Sequence, residues 1–354
     1  MANEYDRLKE VKEFDNTKLG VKGLVDSGIT QIPRMFHHPP EALFGIHTND
    51  EHDLIPVVDM SGPHDDLVQR IREACAKYGF FQVVNHGIPV AVLDRLLKGI
   101  KAFHELPPED KMKYYDRAWN STQAGVGFFS NHDLFHSKAA SWRDTIQFRL
   151  GPVPINPNAI PQVCREEVME YEKELKQVAD RLMGYLSEGL GLNADRLKGM
   201  RYMGRASMGG NYYPPCPEPN KTVGITSHTD PGLLTVLLQD NVGGLQVKYN
   251  DKWIDVKYVQ GALIVNLGDF FQIISNDEYK SGGHRVTANP FQEPRVSVAT
   301  FFGPGTVDDL YGPLSELVSE EKPALYKEFK FSDLMASFFT SEIDGKAMIS
   351  QFRL

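Results

Sequence analysis

His228, Asp230 and His284 are the residue types that hold Fe(II) in non-haem oxygenases, where two histidines and one carboxylate leave coordination positions open for reactants. His228-Thr229-Asp230 follows a β-rich run and precedes Pro231-Gly232 and the apolar Leu233–Leu238. Residues two apart share one face of a strand, so His228 and Asp230 converge from one strand end. His284 follows Ser281-Gly282-Gly283 and opens another β-rich run, which brings the third ligand from a second strand. Arg295 and Ser297 share a face by the same period. A guanidinium fork beside a hydroxyl fits the far carboxylate of a dicarboxylic co-substrate. Tyr213, in Asn211-Tyr212-Tyr213-Pro214-Pro215-Cys216-Pro217, adds a phenolic donor toward the same carboxylate.

Each fragment alone is weak. A His-x-Asp triplet arises by chance in a chain with 11 histidines, and a second stands at His64-Asp65-Asp66. That one reads as a helix start with acids in its first turn. His37, His38, His47 and His52 lie in polar N-terminal stretches, and His132 and His136 in a polar middle segment. His86, before Gly87-Ile88-Pro89, reads as a turn residue. The combination of triad and Arg/Ser anchor is what points to a reaction. A zinc hydrolase would leave the anchor without a role, and a cupin-like binding protein would need no dicarboxylate clamp. An ascorbate-dependent oxidase that does not consume 2-oxoglutarate is a further alternative, separated by whether succinate forms.

The elements that must position these residues follow from patterning. Ile55–Asp59 and Phe80–Val84 read as strands. Leu67, Val68, Ile71, Ala74 and Cys75 form one helix, and Leu93, Leu96, Leu97, Ile100 and Phe103 another. Pro107-Pro108-Glu109-Asp110-Lys111 starts a third. Residues 116–161 read as irregular, and Val168 to Leu186 as a long helix ended by Gly189-Leu190-Gly191. Short β-rich runs then alternate with turns: Gly224–Thr229, Leu233–Leu238, Leu245–Tyr249, Trp253–Val256, Ala262–Leu267, His284–Val286 and Arg295–Phe302. This spacing predicts a jelly roll or barrel. The tail over Val318–Phe339 reads as helical. The fold class is therefore α+β: a jelly-roll core with a helical N-terminal region and a C-terminal helical cover. Its expected divisions are 1–50 as an extension wrapped on the surface, 51–200, 201–305 for the core, and 306–354.

Composition sets the class of partner. The chain has 354 residues and a net charge of -9, from 38 basic and 47 acidic residues. Its apolar share of 41% and charged share of 24% are those of an ordinary globular protein. The acidic balance argues against nucleic acid or an anionic membrane as the main partner. No apolar run reaches the length of a membrane span. Three widely spaced cysteines, Cys75, Cys164 and Cys216, suggest no disulfide framework, and the charged start suggests no secretion signal. A cytoplasmic, monomeric protein acting on a small molecule is the expectation.

In order and spacing, Ile55–Asp59, Gly79-Phe80-Phe81-Gln82-Val83-Val84-Asn85-His86-Gly87-Ile88-Pro89, Asn211–Pro217, His228-Thr229-Asp230, Asn266-Leu267-Gly268-Asp269, His284-Arg285-Val286 and Arg295-Val296-Ser297 resemble a plant Fe(II)/2-oxoglutarate-dependent dioxygenase. The resemblance covers most of the chain. Gly20–Ile29 resembles the branch called 1-aminocyclopropane-1-carboxylate oxidase homologues. The family implies a double-stranded β-helix, with iron at His228, Asp230 and His284. It also implies 2-oxoglutarate at Arg295, Ser297 and Tyr213, with Asn211 beside the iron-binding end. O2 is then the second co-substrate and ascorbate the reductant. Succinate and CO2 would be released as a plant specialised metabolite is hydroxylated, desaturated or cyclised. A Gly or Ala at position 230 would free a coordination site for halide, so Asp230 argues for oxygenation rather than halogenation. Phe301 resembles a position that stacks on aromatic substrates. Phe128, Phe129, Trp142, Phe338 and Phe339 are further candidates for the pocket wall. Three departures stand out. Asp277 replaces a usual Gly and Gly282-Gly283 replace bulkier residues, both of which would change loop flexibility near the iron, and Gly209-Gly210 stand where flavonoid-oxidising relatives carry a Lys.

Overall fold

A computed structural model describes residues 5–45, 54–153, 155–340 and 345–354. His47, His52 and the expected boundary at 50/51 lie outside the described residues, and the side chain of Phe339 is not described either. Twelve strands build the core among the described residues. They are β1 (Val57–Asp59), β2 (Phe80–Val84), β3 (Val126–Ser130), β4 (Asp144–Arg149), β5 (Arg205–Tyr213), β6 (Val223–His228), β7 (Leu234–Gln239), β8 (Leu245–Tyr249), β9 (Lys252–Asp255), β10 (Leu263–Leu267), β11 (His284–Thr287) and β12 (Arg295–Gly303).

These strands form two sheets. The larger runs β1-β2-β10-β7-β12-β5-β4-β3 and the smaller β6-β11-β8-β9. Every pairing is antiparallel except β1 with β2. Alternation along the strands decides the two faces of the large sheet. Phe80, Tyr213, Leu237 and Ile264 join Leu245, Val247, Ile254 and Val286 of the small sheet in an apolar layer between the sheets. Phe81, Val83, Phe128, Ile146, Val265 and Val298 belong to the main core instead. The helices His64–Lys77, Val90–His104 and Arg165–Gly189 bury their apolar stripes in that same core. This is the jelly roll with helical flanks that the strand spacing predicts.

Three segments differ from the sequence expectation. Residues 116–161 are not wholly irregular: β3 and β4 lie within them and extend the large sheet past β5. Among the described residues the tail is helical from Phe331 to Thr340 and from Gly345 to Ser350, with a short strand at Phe329–Lys330 before it. The first fifty residues carry the helices Arg7–Thr17 and Gly20–Asp26 and build a second core. Val11, Phe14, Val21, Met35 and Phe36 pack there with Leu134, Ala140 and Trp142.

A buried carboxylate fastens that second core to the sheet. The amides of Val21 and Lys22 donate to Asp144 Oδ1 and Oδ2, each at 2.8 Å, so a residue of β4 caps the start of the helix Gly20–Asp26. Gly20 has φ +72° and lies so close that a Cβ would sit 2.4 Å from Asp144 Oδ1. Only glycine fits this docking.

Candidate metal and co-substrate site

β6 ends at His228 and β11 begins at His284, and the two residues are direct cross-strand partners. Their rings lie 4.2 Å apart between centroids. Asp230 follows in the turn that leads into β7. One Oδ1 therefore faces both imidazoles, 3.7 Å from His228 Nε2 and 3.8 Å from His284 Nε2. The ligand atoms of the three residues all lie within 4.8 Å of one another.

Hydrogen bonding leaves these atoms free for a cation. His228 Nδ1 lies 2.8 Å from the Thr226 carbonyl and His284 Nδ1 3.1 Å from the Gly282 carbonyl. A carbonyl only accepts, so each Nδ1 carries the proton and each Nε2 keeps its lone pair. On Asp230 the other oxygen is committed: Oδ2 accepts from Thr235 Oγ1 at 2.6 Å and Asn266 Nδ2 at 2.7 Å. Charge follows the same logic. Burial, and then the neighbouring His284, push His228 down to about 4, so it stays neutral at ordinary pH. Burial alone would raise the Asp230 carboxyl, yet the two imidazoles and its two donors hold it below the usual range. An anionic oxygen and two neutral imidazole lone pairs fit a divalent metal. Below them, Thr229 Oγ1 donates to Asp269 at 2.8 Å, and burial pushes that carboxyl up to about 7.

The anchor expected at Arg295 is a buried cation. Its guanidinium donates to Gln239 Oε1 at 2.9 Å and Ser297 Oγ at 3.3 Å, and lies 4.7 Å from the Tyr213 ring centroid. Nε is buried without a partner. Among the described residues no carboxylate lies within ion-pairing distance of it. A guanidinium this buried fits an anion supplied from outside the chain. Ser297 pairs in register with both Asn211 and Gln239, which sets Arg295, Ser297 and Asn211 on the inner face. Asn211 Oδ1 accepts from Thr145 Oγ1 at 3.0 Å and from Arg143 Nη1 at 3.3 Å.

The aromatic candidates separate. Phe301 is half-buried on the same face as Arg295 and Ser297 and pairs with Thr235, a donor to Asp230. Phe129 pairs with Thr145 on that face too. Phe128 and Trp142 are corrected to core positions: Phe128 lies on the opposite strand face from Phe129, in the main core, and Trp142 lies in the second core. Phe128 meets Phe103 and His104 edge-on, and Trp142 packs against Phe36 at 4.9 Å. Phe338 is half-buried against the main core.

Two departures also find their reason. Gly282 is a matter of close approach, not loosened backbone: a Cβ there would meet the Tyr78 carbonyl and the Phe80 ring at 2.6 Å. Asp277, at φ +66°, accepts from Tyr326 at 2.5 Å and from Arg353 at 2.7 Å, and so fastens the C-terminal tail. Sequence reading does not single out Thr235 or Gln239, and it gives Asn266 no role. The signal was present, because Thr235, Gln239 and Asn266 are polar breaks within apolar strands.

Comparison with known proteins agrees with this geometry. Residues 205–304 match the family described as the 2OG-Fe(II) oxygenase superfamily. Residues 55–164 match the N-terminal region described as non-haem dioxygenase in morphine synthesis. The chain is 47% identical over 344 residues to 1-aminocyclopropane-1-carboxylate oxidase homolog 4 of Arabidopsis thaliana, covering 96% of this chain and 97% of that protein. A homolog from Solanum lycopersicum is 42% identical over 364 residues, covering 100% and 99%. Among solved structures, JOX2 in complex with 2OG, Fe and JA superimposes with a TM-score of 0.84 at 34% identity, over 95% of this chain and 97% of that one. The rice dioxygenase for auxin oxidation gives 0.71 at 27% identity, over 85% and 100%.

Proposed function

The chain belongs to the 2OG-Fe(II) oxygenase superfamily and is a dioxygenase, and from that premise we propose that it oxidises a small, largely apolar plant metabolite while converting 2-oxoglutarate to succinate and CO2. The observation that carries this reading is the orientation of the triad: both Nδ1 atoms and Asp230 Oδ2 are committed elsewhere, and the three remaining atoms face one another. Bound Fe(II), with 2-oxoglutarate and O2, supplies the oxidising chemistry, and ascorbate keeps the iron reduced.

The protein's own part is binding, orientation and exclusion of water. His228, Asp230 and His284 would hold the metal through the three atoms that face one another. Arg295, Ser297 and Tyr213 hold the distal carboxylate of 2-oxoglutarate, with the charge on Arg295 matched by the incoming anion. Asn211 is held by Thr145 and lines the end of the co-substrate nearest the metal. Phe301 forms a wall against the substrate. Relatives whose structures hold JA or are named for auxin oxidation support a small molecule as substrate. No described helix is long and apolar enough to cross a membrane. Three free, buried cysteines suit the reducing cytosol.

The test is anaerobic titration of the metal-free protein with Fe(II) and then 2-oxoglutarate, followed by the weak visible charge-transfer band of the chelated keto acid. A band that Arg295→Ala weakens is the expected result. Iron binding with no such band would favour an ascorbate-dependent oxidase, and no iron binding at all would favour a binding protein.

A further inference from the structure

Arg143 stands immediately before β4, and the period of the strand puts it on the face of Thr145 and Gln147. That face is the inner one, because Thr145 pairs with Asn211 and Phe129 while Asn211 pairs with Ser297. The guanidinium donates one bond, from Nη1 to Asn211 Oδ1 at 3.3 Å. Its Nε is buried without a partner. Among the described residues no carboxylate lies within ion-pairing distance of it. Gln147, two residues on, lies across Gly209, with Nε2 2.9 Å from where a Cβ would stand, and its Oε1 is a buried acceptor without a donor.

The site therefore contains two guanidinium groups, and the mechanism above uses only Arg295. Arg295 has Ser297, Gln239 and Tyr213 around it and is spoken for by the co-substrate. A second cation with free donors, held in place by Asn211, is not explained by packing. A half-buried guanidinium with unpaired N–H groups gains most from a carboxylate, which accepts two of them at once. Resting on the oxygenase reading, we propose that Arg143 is the anchor for an anionic group on the primary substrate, so that the enzyme selects small carboxylate-bearing molecules. Gln147 Oε1 then accepts from a hydroxyl or N–H on the same molecule. Phe301, on β12, contacts its apolar body.

The test is calorimetric titration of the full chain, kept anaerobic and loaded with Fe(II) and 2-oxoglutarate, using short aryl and alkyl carboxylates each paired with its own amide. The expected result is that acids in the panel bind about tenfold or more tighter than their amides. Arg143→Gln, which keeps a donor for Asn211, removes the preference, and Arg143→Lys, which keeps the charge, retains part of it. The 2-oxoglutarate affinity of Arg143→Gln stays within about threefold of wild type, a small fraction of one charge-assisted bond. Equal binding of every acid and its amide, or no binding by any acid, overturns the proposal. So does an Arg143→Gln protein that keeps the preference, or one whose 2-oxoglutarate affinity collapses, which would place the guanidinium on the co-substrate. The loading step separates the two levels: a wild-type protein that binds Fe(II) but not 2-oxoglutarate removes the oxygenase reading itself, and this inference with it.

Discussion

Replacing Asn266 with Leu removes one of the two donors to Asp230 Oδ2 while keeping the side chain's approximate volume, and Thr235→Val removes the other. Asp230 is only 4% exposed, so water cannot substitute for the lost donor. A hydrogen bond to a charged acceptor is worth about 1.5–3 kcal/mol. That loss divides between two processes. The part felt equally by the metal-free and metal-bound protein lowers folding stability alone. The part that depends on Oδ1 being turned toward the two imidazoles appears as lost metal affinity. If orientation dominates, the full figure corresponds to roughly tenfold to hundredfold weaker binding, the range typical of partners that orient metal ligands. The assay is anaerobic calorimetry with Fe(II) on each variant, beside urea unfolding of the metal-free protein. The expected outcome is weakened iron binding in both single variants. A folded Asn266→Leu protein and a folded Thr235→Val protein that both bind Fe(II) within about twofold of wild type would refute the reasoning.

Arg295→Ala removes a buried cation from its anion and is expected to weaken 2-oxoglutarate binding by roughly 30-fold or more, with Fe(II) affinity unchanged in the same calorimetric series. Phe301→Ala is expected to raise the substrate KM while leaving Fe(II) and 2-oxoglutarate binding intact, and loss of the iron site in that variant would sink the placement of Phe301. His104 is wholly buried, and burial pushes it down to about 3, so the fold holds it neutral. The unfolded chain takes up a proton near pH 6.5, so this residue's contribution is complete above that pH and is lost as the pH falls toward 3. Moving from pH 6.5 to pH 5 is expected to cost about 2 kcal/mol at this residue. Urea unfolding at the two pH values, with His104→Phe losing that part of the difference, checks it.

The fold class and the residue types of the candidate site are both legible in the sequence. Ligands at strand ends announce themselves by residue type, and a period of two places His228 with Asp230 and Arg295 with Ser297. The second set of residues was harder to read because its meaning lies across strands. Thr235 and Asn266 are ordinary polar residues until register brings both to Asp230. β5 was not read as a strand because Arg205-Ala206-Ser207-Met208-Gly209-Gly210 lacks the β-branched residues that mark one. Tertiary pairing with β12 and β4 imposes the extended form there. The N-terminal helices escaped for a different reason. Arg7–Thr17 buries only Val11 and Phe14, too thin a stripe for periodicity to register, and Gly20–Asp26 takes its cap from a residue over a hundred positions away. The aromatic wall was overread at Phe128 and Trp142, where residue type alone does not say which side of a sheet or which core an aromatic ring will fill.

The bond from Asp144 to the amides of Val21 and Lys22 changes what counts as the smallest working piece of this protein. The match to the non-haem dioxygenase N-terminal region begins at residue 55, and a chain trimmed to that point would keep both matched regions. It would nevertheless leave the Asp144 carboxylate without two of its donors, next in sequence to Arg143 and one strand away from Asn211. The leading helices are thus part of the wall they cover. A binding surface tuned through that wall can change by substitutions in the first thirty residues, at a distance in sequence from every residue that meets the metal.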